Sequence, residues 1–545
     1  MNTQPPLSPS AYTDTFARDH LPPADQWPVL EFTTDDLHYP DRLNAGADLL
    51  AHGDDDRPAL RTPDGACWTY AELRLRTGQV ARVLTEDLGL VPGNRVVLRS
   101  PNNPWTVAAW LGVLQAGGVV VTTMSALRAR ELAPIVTKTR PAVALVDHRF
   151  VDDVLAVRDE VAPDLRVVAY GGDSPDDLST LAAAKPGGFV PVETAADDVA
   201  LFGPTSGSTG IPKVTIHFHR DLLSIDHTFG RPLLALRADD LVACTAPLAF
   251  TFGLGMLVVF TLRAGACAFL TEAATPAQLA DLVAEHGVTV LATAPTAYRQ
   301  MLKTDSIERL SRLRAAVSAG EHIPQEVWEA IRDRLGLAVI DGIGATEMLH
   351  IFISAAGADV RPGATGKPVP GYRATILGPD DQPVPRGTEG RLAVIGPVGC
   401  RYLDDEQQRA YVVGGWNVTG DTFVEDDDGY FHYRARNDSM IVSSGYNIGA
   451  PEVEAALYTH PDVVEAAVIG EPDPERGSIV SAFVVLREGV GADDETVRAL
   501  QDHVKAELAP YKYPRRIRFV DALPRNSSGK LQHFKLRQGI EEVPA

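Results

Sequence analysis

The chain has 545 residues, 45% hydrophobic and 22% charged, which is too long for one compact core at ~150 residues per domain and too evenly mixed for a disordered protein. Its net charge of -22 disfavours nonspecific attraction to nucleic acid or to an anionic membrane, so an anionic substrate must meet local positive charge. Cys67, Cys244, Cys267 and Cys400 are scattered without C-x-x-C spacing, which argues against a zinc site or a disulfide framework, and residues 1–6 lack the features of an export signal, so a cytoplasmic protein is expected.

Residues 1 to about 40, rich in Pro, Asp and Thr, read as an irregular arm packed onto the body. From about 95 the chain alternates: strand-like Val96-Val97-Leu98, a turn at Pro101-Asn102-Asn103-Pro104, an apolar helix through Trp110 and Leu114, Gly117-Gly118, the strand Val119-Val120-Val121, a helix from Ala129 to Lys138 and the strand Val143-Ala144-Leu145-Val146. The same grammar recurs from Leu241: a strand, a turn at Pro247, an apolar helix from Phe252 to Leu262, Gly265, a strand from Ala266 to Leu270, a helix from Pro276 to His286 and a strand from Val288 to Leu291. That apolar helix is well short of the ~18 residues of a membrane span and reads as buried. Two βαβαβ runs predict two doubly wound α/β layers.

After about 365 the texture changes to short strands between Gly and Pro turns, such as Arg373 to Leu377 and Arg391 to Ile395, predicting a β-rich subdomain. Beyond Asp438 comes a compact tail: a helix from Pro451 to Thr459, strands from Val463 to Gly470 and Ile479 to Arg487, a helix from Asp494 to Leu508 and a strand from Arg516 to Val520. The expected fold is α/β, with a large N-terminal domain over 1–437 and a small α+β domain over 438–545.

The strongest chemical signal is Thr205-Ser206-Gly207-Ser208-Thr209-Gly210-Ile211-Pro212-Lys213, after the strand-like Val199-Ala200-Leu201-Phe202. Glycines let backbone N–H groups approach phosphate oxygens, hydroxyls add donors and the lysine neutralises charge. Pro212 stands where a Walker A loop needs glycine, so this is a different phosphate-cradling loop. In order along the chain follow Pro247 to Gly255, Ser318-Ala319-Gly320-Glu321, Asp341-Gly342-Ile343-Gly344-Ala345-Thr346-Glu347, Thr419-Gly420-Asp421, Arg436-Asn437-Asp438, Ser444-Gly445-Tyr446 and Pro524-Arg525-Asn526-Ser527-Ser528-Gly529-Lys530.

This ordered set resembles the adenylate-forming superfamily of acyl-CoA synthetases, adenylation domains and firefly luciferase. The resemblance implies that Thr205, Ser206, Gly207, Ser208, Thr209, Gly210 and Lys213 line the phosphate path of ATP, that Thr346 touches the α-phosphate and that Glu347 holds Mg2+. It further implies an adenine side built from Gly320, Glu321, Asp341, Gly342 and Ile343, and ribose contacts from Asp421 and Arg436. Lys530 resembles the mobile lysine that bridges the acid and the α-phosphate. Asp438 resembles the hinge about which a mobile small domain rotates, and Gly445 with Tyr446 the segment that then faces the pantetheine channel of coenzyme A. The chain departs from the common pattern at Ile343, at Ala435-Arg436-Asn437-Asp438-Ser439 and at Val442, which puts details of the thioester step in doubt.

Within that superfamily, Met348-Leu349-His350-Ile351-Phe352 and Ser443 to Glu452 resemble the benzoate and 2-aminobenzoate CoA ligase branch. By that pattern Phe250, Thr251, Phe252, His350 and Ile351 form the acyl pocket for an aryl acid, although these apolar residues and the histidine read equally as core. The implied activity is AMP-forming ligation of an aryl acid to CoA, with ATP, Mg2+ and CoA required. A free-standing adenylation enzyme that loads a carrier-protein pantetheine is a second reading. A non-catalytic nucleotide-binding regulator is a third, and the retention of Lys213, Glu347, Asp421, Arg436 and Lys530 speaks against it. Ring substituents and oligomeric state stay open.

Overall fold

A computed structural model describes residues 6–205, 212–321, 323–436, 440–524 and 535–536. Its first sheet has six strands in the order Arg166–Tyr170, Val143–Asp147, Arg95–Arg99, Val119–Thr123, Val199–Thr205 and Lys213–Phe218, all parallel except the last pair. The strands Arg95–Arg99, Val119–Thr123 and Val143–Asp147 are buried at every position, which is why their centres read as continuous apolar runs rather than alternating ones. The second sheet has nine strands, with Leu241–Cys244 between Cys267–Phe269 and Val290–Thr293, followed outward by Ala315–Ser318, Ile340–Gly344, Ile351–Ser354 and Lys367–Pro368.

The expected internal repeat is present in the strand order. In the first sheet Arg95–Arg99 lies between the next two strands of its run, and in the second sheet Leu241–Cys244 does the same. Both follow from right-handed βαβ crossovers that place one helix on each face. The crossover helix Pro104–Gln115 starts at Asn103, whose side chain accepts from the Thr106 N–H at 3.0 Å, with Pro104 in the first turn where no N–H is needed.

Its counterpart differs from expectation. The segment from Phe252 to Leu262 is buried from Gly253 onward, but a π-helical turn, Gly255–Val259, splits it into Thr251–Leu254 and Phe260–Arg263. A Cβ on Gly255 would lie 2.4 Å from His350 Cδ2, so the glycine makes room for that ring.

The β-rich part is a five-stranded sheet in which Trp416–Glu425 pairs with both Glu389–Ile395 and Phe431–Arg436. The arm packs on the body as expected: Tyr12 is buried and donates its hydroxyl to the Val199 carbonyl at 2.6 Å, and Leu30 bridges to Gly396. The small C-terminal domain combines the hairpin Met440–Ser443 and Tyr446–Gly449 with the strands Val463–Asp473, Gly477–Leu486 and Arg516–Phe519 and the helices Ala450–Tyr458 and Asp494–Glu507. Its core, including Val453, Leu457, Val468, Val484 and Leu500, forms an apolar cluster of its own. Among the described residues no helix is long and apolar enough to cross a membrane, and no group of three His, Cys, Asp or Glu could hold a metal ion.

Candidate functional site

A cavity of about 830 Å³ opens beyond the carboxyl ends of the second sheet's parallel strands, where Thr245, Thr293, Ala294, Ala319, Gly320 and Gly344 line it. Thr123 and Thr205 reach it from the first sheet, and Gly445, Tyr446 and Tyr511 close it from the small domain. Ten of the residues proposed from sequence line this one space: Thr205, Phe250, Thr251, Phe252, Gly320, Thr346, His350, Ile351, Gly445 and Tyr446.

The loop proposed from sequence to cradle phosphate joins two antiparallel strands, with Thr205 and Lys213 facing each other across the ladder. Among the described residues the loop is flanked by two strands, and Lys213 stands at its base. Lys213 Nζ lies 5.3 Å from the centre of the Tyr402 ring. The Tyr402 hydroxyl donates to Glu347 Oε1. Burial first, and the Glu347 charge second, raise the Tyr402 hydroxyl well above its ordinary pKa, so it stays a donor. These contacts bring Lys213 and Glu347 together, although neither lines the cavity itself.

Thr346 and Glu347 begin the short 3-10 turn Thr346–Met348. Buried His217 fixes that turn from behind: its Nε2 is 2.8 Å from the Thr346 carbonyl, so this nitrogen carries a proton. Gly203 permits the approach, since a Cβ there would lie 2.6 Å from Thr215 Oγ1 and 3.1 Å from Thr346 Cγ2. His217 and Tyr402 were missed by sequence reasoning. Their partners lie 129 and 55 residues away along the chain, beyond any local pattern.

The cavity wall proposed from sequence for the acyl group is aromatic. His350 is buried, with ring centres 4.7 Å from Phe260, 5.3 Å from Phe229 and 5.7 Å from Phe252, and neither ring nitrogen has a hydrogen-bond partner among the described residues. Burial pushes its pKa down to about 3, which keeps it neutral. His350 is thus both a core residue and a cavity-lining one. The ring of Phe250 lies edge-on to Tyr446 at 5.9 Å, joining the acyl wall to the small domain.

The residues proposed for the adenine side divide. Gly320 lines the cavity, whereas Glu321 turns to the small domain and accepts the Gly445 N–H; burial pushes its carboxyl up to about 7. Asp341, Gly342 and Ile343 lie in the strand Ile340–Gly344, and no cavity wall is built from them. Asp421 is buried, and its backbone pairs with that of Arg436, so the two proposed ribose residues are neighbours in the ladder. Ser206, Gly207, Ser208, Thr209, Gly210, Asp438 and Lys530 lie outside the described residues.

Asp341 carries a testable electrostatic signature. Its Oδ1 has no hydrogen-bond partner among the described residues, and burial pushes its carboxyl from the ordinary 3.8 up to about 8. Between those values the folded chain holds a proton that the unfolded chain has released, so stability falls as pH rises through the window and levels off above it. Asp341→Asn keeps the shape without ionising. It is expected to raise Tm by a few degrees near pH 8 and much less near pH 5 in nucleotide-free protein. Equal Tm changes at both pH values would show that Asp341 does not carry this linkage.

The model for an AMP-binding enzyme matches residues 50–402, and that for the AMP-binding enzyme C-terminal domain matches residues 452–530. The benzoate–CoA ligase of Thauera aromatica is 36% identical over 510 residues, covering 92% of this chain and 97% of that protein. A solved structure of the anthranilate CoA ligase AuaEII in complex with anthranoyl-AMP is 31% identical and superposes with a TM-score of 0.72 over 93% of this chain and 99% of its own. The amide bond synthetase McbA from Marinactinospora thermotolerans, 27% identical, superposes with a TM-score of 0.82 over 91% of this chain and 99% of its own.

Proposed function

The chain belongs to the AMP-binding enzyme family, and from that membership we propose that it is an AMP-forming aryl acid–CoA ligase. The acid is activated by ATP to an acyl-adenylate with release of pyrophosphate, and the thiol of CoA then displaces AMP to give the thioester. The observation that carries this reading is the single cavity in which an aromatic wall, Phe250 and Phe252 with His350 and Ile351, meets Thr205 and Thr346 on one side and Gly445 and Tyr446 on the other. Similarity to ligases for benzoate and anthranilate supports an aryl acid.

The residues divide the chemistry. Carboxylate attack on the α-phosphate brings anions together, so donors and cations must be aimed at the phosphorus centre. Thr205, Thr346 and the loop ending at Lys213 supply these in our reading, with Lys530 delivered by the small domain. Glu347 is the hard-oxygen group that would hold Mg2+, and the ion would supply positive charge to offset that of the phosphates. Tyr402 leaves Glu347 oriented, since its hydroxyl takes one carboxylate oxygen. Gly320 would border the adenine, with Glu321, Asp341, Gly342 and Ile343 behind it, and Asp421 with Arg436 would hold the ribose. We place the domain boundary and hinge at Asp438 and the reaction in the cytoplasm, where ATP and CoA are supplied.

A panel of aryl and aliphatic acids tested for pyrophosphate release, with and without CoA, examines the proposal. Benzoate-type acids are expected to exceed acetate in kcat/KM by at least about 100-fold, because each missing apolar group in such a pocket loses ~1–3 kcal/mol. Acetate or a long fatty acid outcompeting every benzoate would overturn the aryl pocket. The McbA likeness and the carrier-protein alternative raise a second acceptor, an amine or a protein-bound thiol. Full turnover with CoA alone distinguishes the ligase from both.

A further inference from the structure

At the seam between the large and small domains one ammonium is buried between two carboxylates. Lys512 Nζ lies 2.6 Å from Glu131 Oε1 and 2.7 Å from Glu452 Oε2, and Lys512 is 4% exposed. Glu131 belongs to the helix Ala129–Thr139 of the large domain, and its second oxygen accepts the backbone N–H of Ala509 at 2.7 Å and of Arg128 at 2.9 Å. Glu452 opens the helix Ala450–Tyr458 and accepts the Gly449 N–H at 2.9 Å, at the end of the hairpin strand that begins with Tyr446. Beside Lys512, the ring of Tyr511 stacks on Tyr446 with centres 4.3 Å apart. A chain of contacts therefore runs from Glu131 through Lys512 to the segment that closes the cavity.

We propose that Lys512 is a positioning residue for thioester formation: clamped on Glu131, it holds the small domain with Gly445 and Tyr446 at the cavity, and the clamp opens when Lys530 is brought there instead. The proposal rests on the two-step ligase reading. Glu131 and Lys512 stand on opposite sides of the hinge proposed at Asp438, so a rotation about it separates them. Removing one member of a buried ionic group leaves its partner desolvated and uncompensated, which is strongly unfavourable in this orientation and relieved in one where the partner meets water. The nearby pair Arg130 and Glu507, 2.9 Å apart and both over a third exposed, is a weaker tie because solvent screens it. An equilibrium between two orientations moved in this way is read in the half-reaction that needs the lost one.

Full-length Lys512→Met and Glu131→Gln variants test the clamp in single turnovers of each half-reaction. Thioester formation from benzoyl-AMP and CoA is expected to slow by about tenfold or more, while pyrophosphate release from benzoate and ATP stays within about twofold or quickens. The double variant should be no slower than Lys512→Met alone, because the pair acts as one unit. Equal loss in both half-reactions, or an undiminished thioester step, would overturn the proposal. A second measurement needs no substrate: spin labels at Val190→Cys and Val464→Cys, positions 84% and 50% exposed, in a Cys67→Ser background. Pulsed EPR distances between them are expected to shift or broaden on Lys512→Met, and an unchanged distribution would also overturn the clamp. Inactivity of the parent enzyme towards every acid would sink the ligase reading alone, with the distance measurement still deciding the clamp.

Discussion

Replacement of Lys530 by alanine is expected to slow acyl-adenylate formation by about 100-fold or more, while thioester formation from supplied acyl-AMP stays within about threefold. When a carboxylate attacks the α-phosphate, negative charge accumulates between two groups that already repel, and a cation placed there acts where water is excluded and its field is little screened. Lys213 stands at the base of the proposed phosphate loop, with its Nζ 5.3 Å from the centre of the Tyr402 ring. Thiol attack on the finished adenylate expels AMP and needs no bridge between acid and phosphate. In the proposed reading the arrangement with Gly445 and Tyr446 lining the cavity serves that second step. Single-turnover pyrophosphate release, measured beside thioester formation from acyl-AMP, gives the answer. A Lys530→Ala enzyme that releases pyrophosphate at the parent rate would remove this lysine from the adenylation step.

What the sequence made legible follows from where the information is stored. Val119 to Thr123 and Val143 to Asp147 are buried on both faces, so their strand character is written in runs of adjacent, mostly apolar residues, and the glycine and proline turns between elements are equally local. The repeated βαβαβ order could be read for the same reason. The π turn at Gly255 could not, because an apolar run has no polar face whose spacing would betray a change of helical period. Around the cavity, motif order located Thr205, Thr346, His350 and Gly445. The residues that hold those motifs in place were silent: His217 behind Thr346, Tyr402 on Glu347 and Lys512 between Glu131 and Glu452 are joined by contacts across 55 to 381 residues. Each reads in isolation as an ordinary buried aromatic, histidine or surface lysine. The run Pro510-Tyr511-Lys512-Tyr513-Pro514, aromatic and basic between two prolines, was the one local hint that this stretch does more than connect elements.

Gly445→Leu is expected to have the opposite effect from Lys530→Ala, slowing thioester formation by about 100-fold or more while adenylate formation is largely retained. Gly445 has φ +81°, a left-handed conformation in which a side chain costs roughly 1–2 kcal/mol. Its N–H is bonded to Glu321, and a Cβ there would lie 3.3 Å from Ala294 Cβ on the cavity wall, so a leucine can neither relax its backbone freely nor avoid the channel. Strain and obstruction both act in the orientation that brings residue 445 to the cavity, and the proposed rotation of the small domain would relieve both. The loop flanked by Thr205 and Lys213 belongs to the large domain and is untouched. Gly445→Ala separates the two causes: it carries the backbone strain with little bulk, so it should lose about tenfold if strain acts alone and far less than leucine if obstruction dominates. The measurement is the single-turnover rate of thioester formation from acyl-AMP across a series of CoA concentrations, beside pyrophosphate release in the same variants. If Gly445→Leu and Lys530→Ala depressed both half-reactions alike, one fixed arrangement would have to perform both steps, and alternation of the small domain would not be the mechanism.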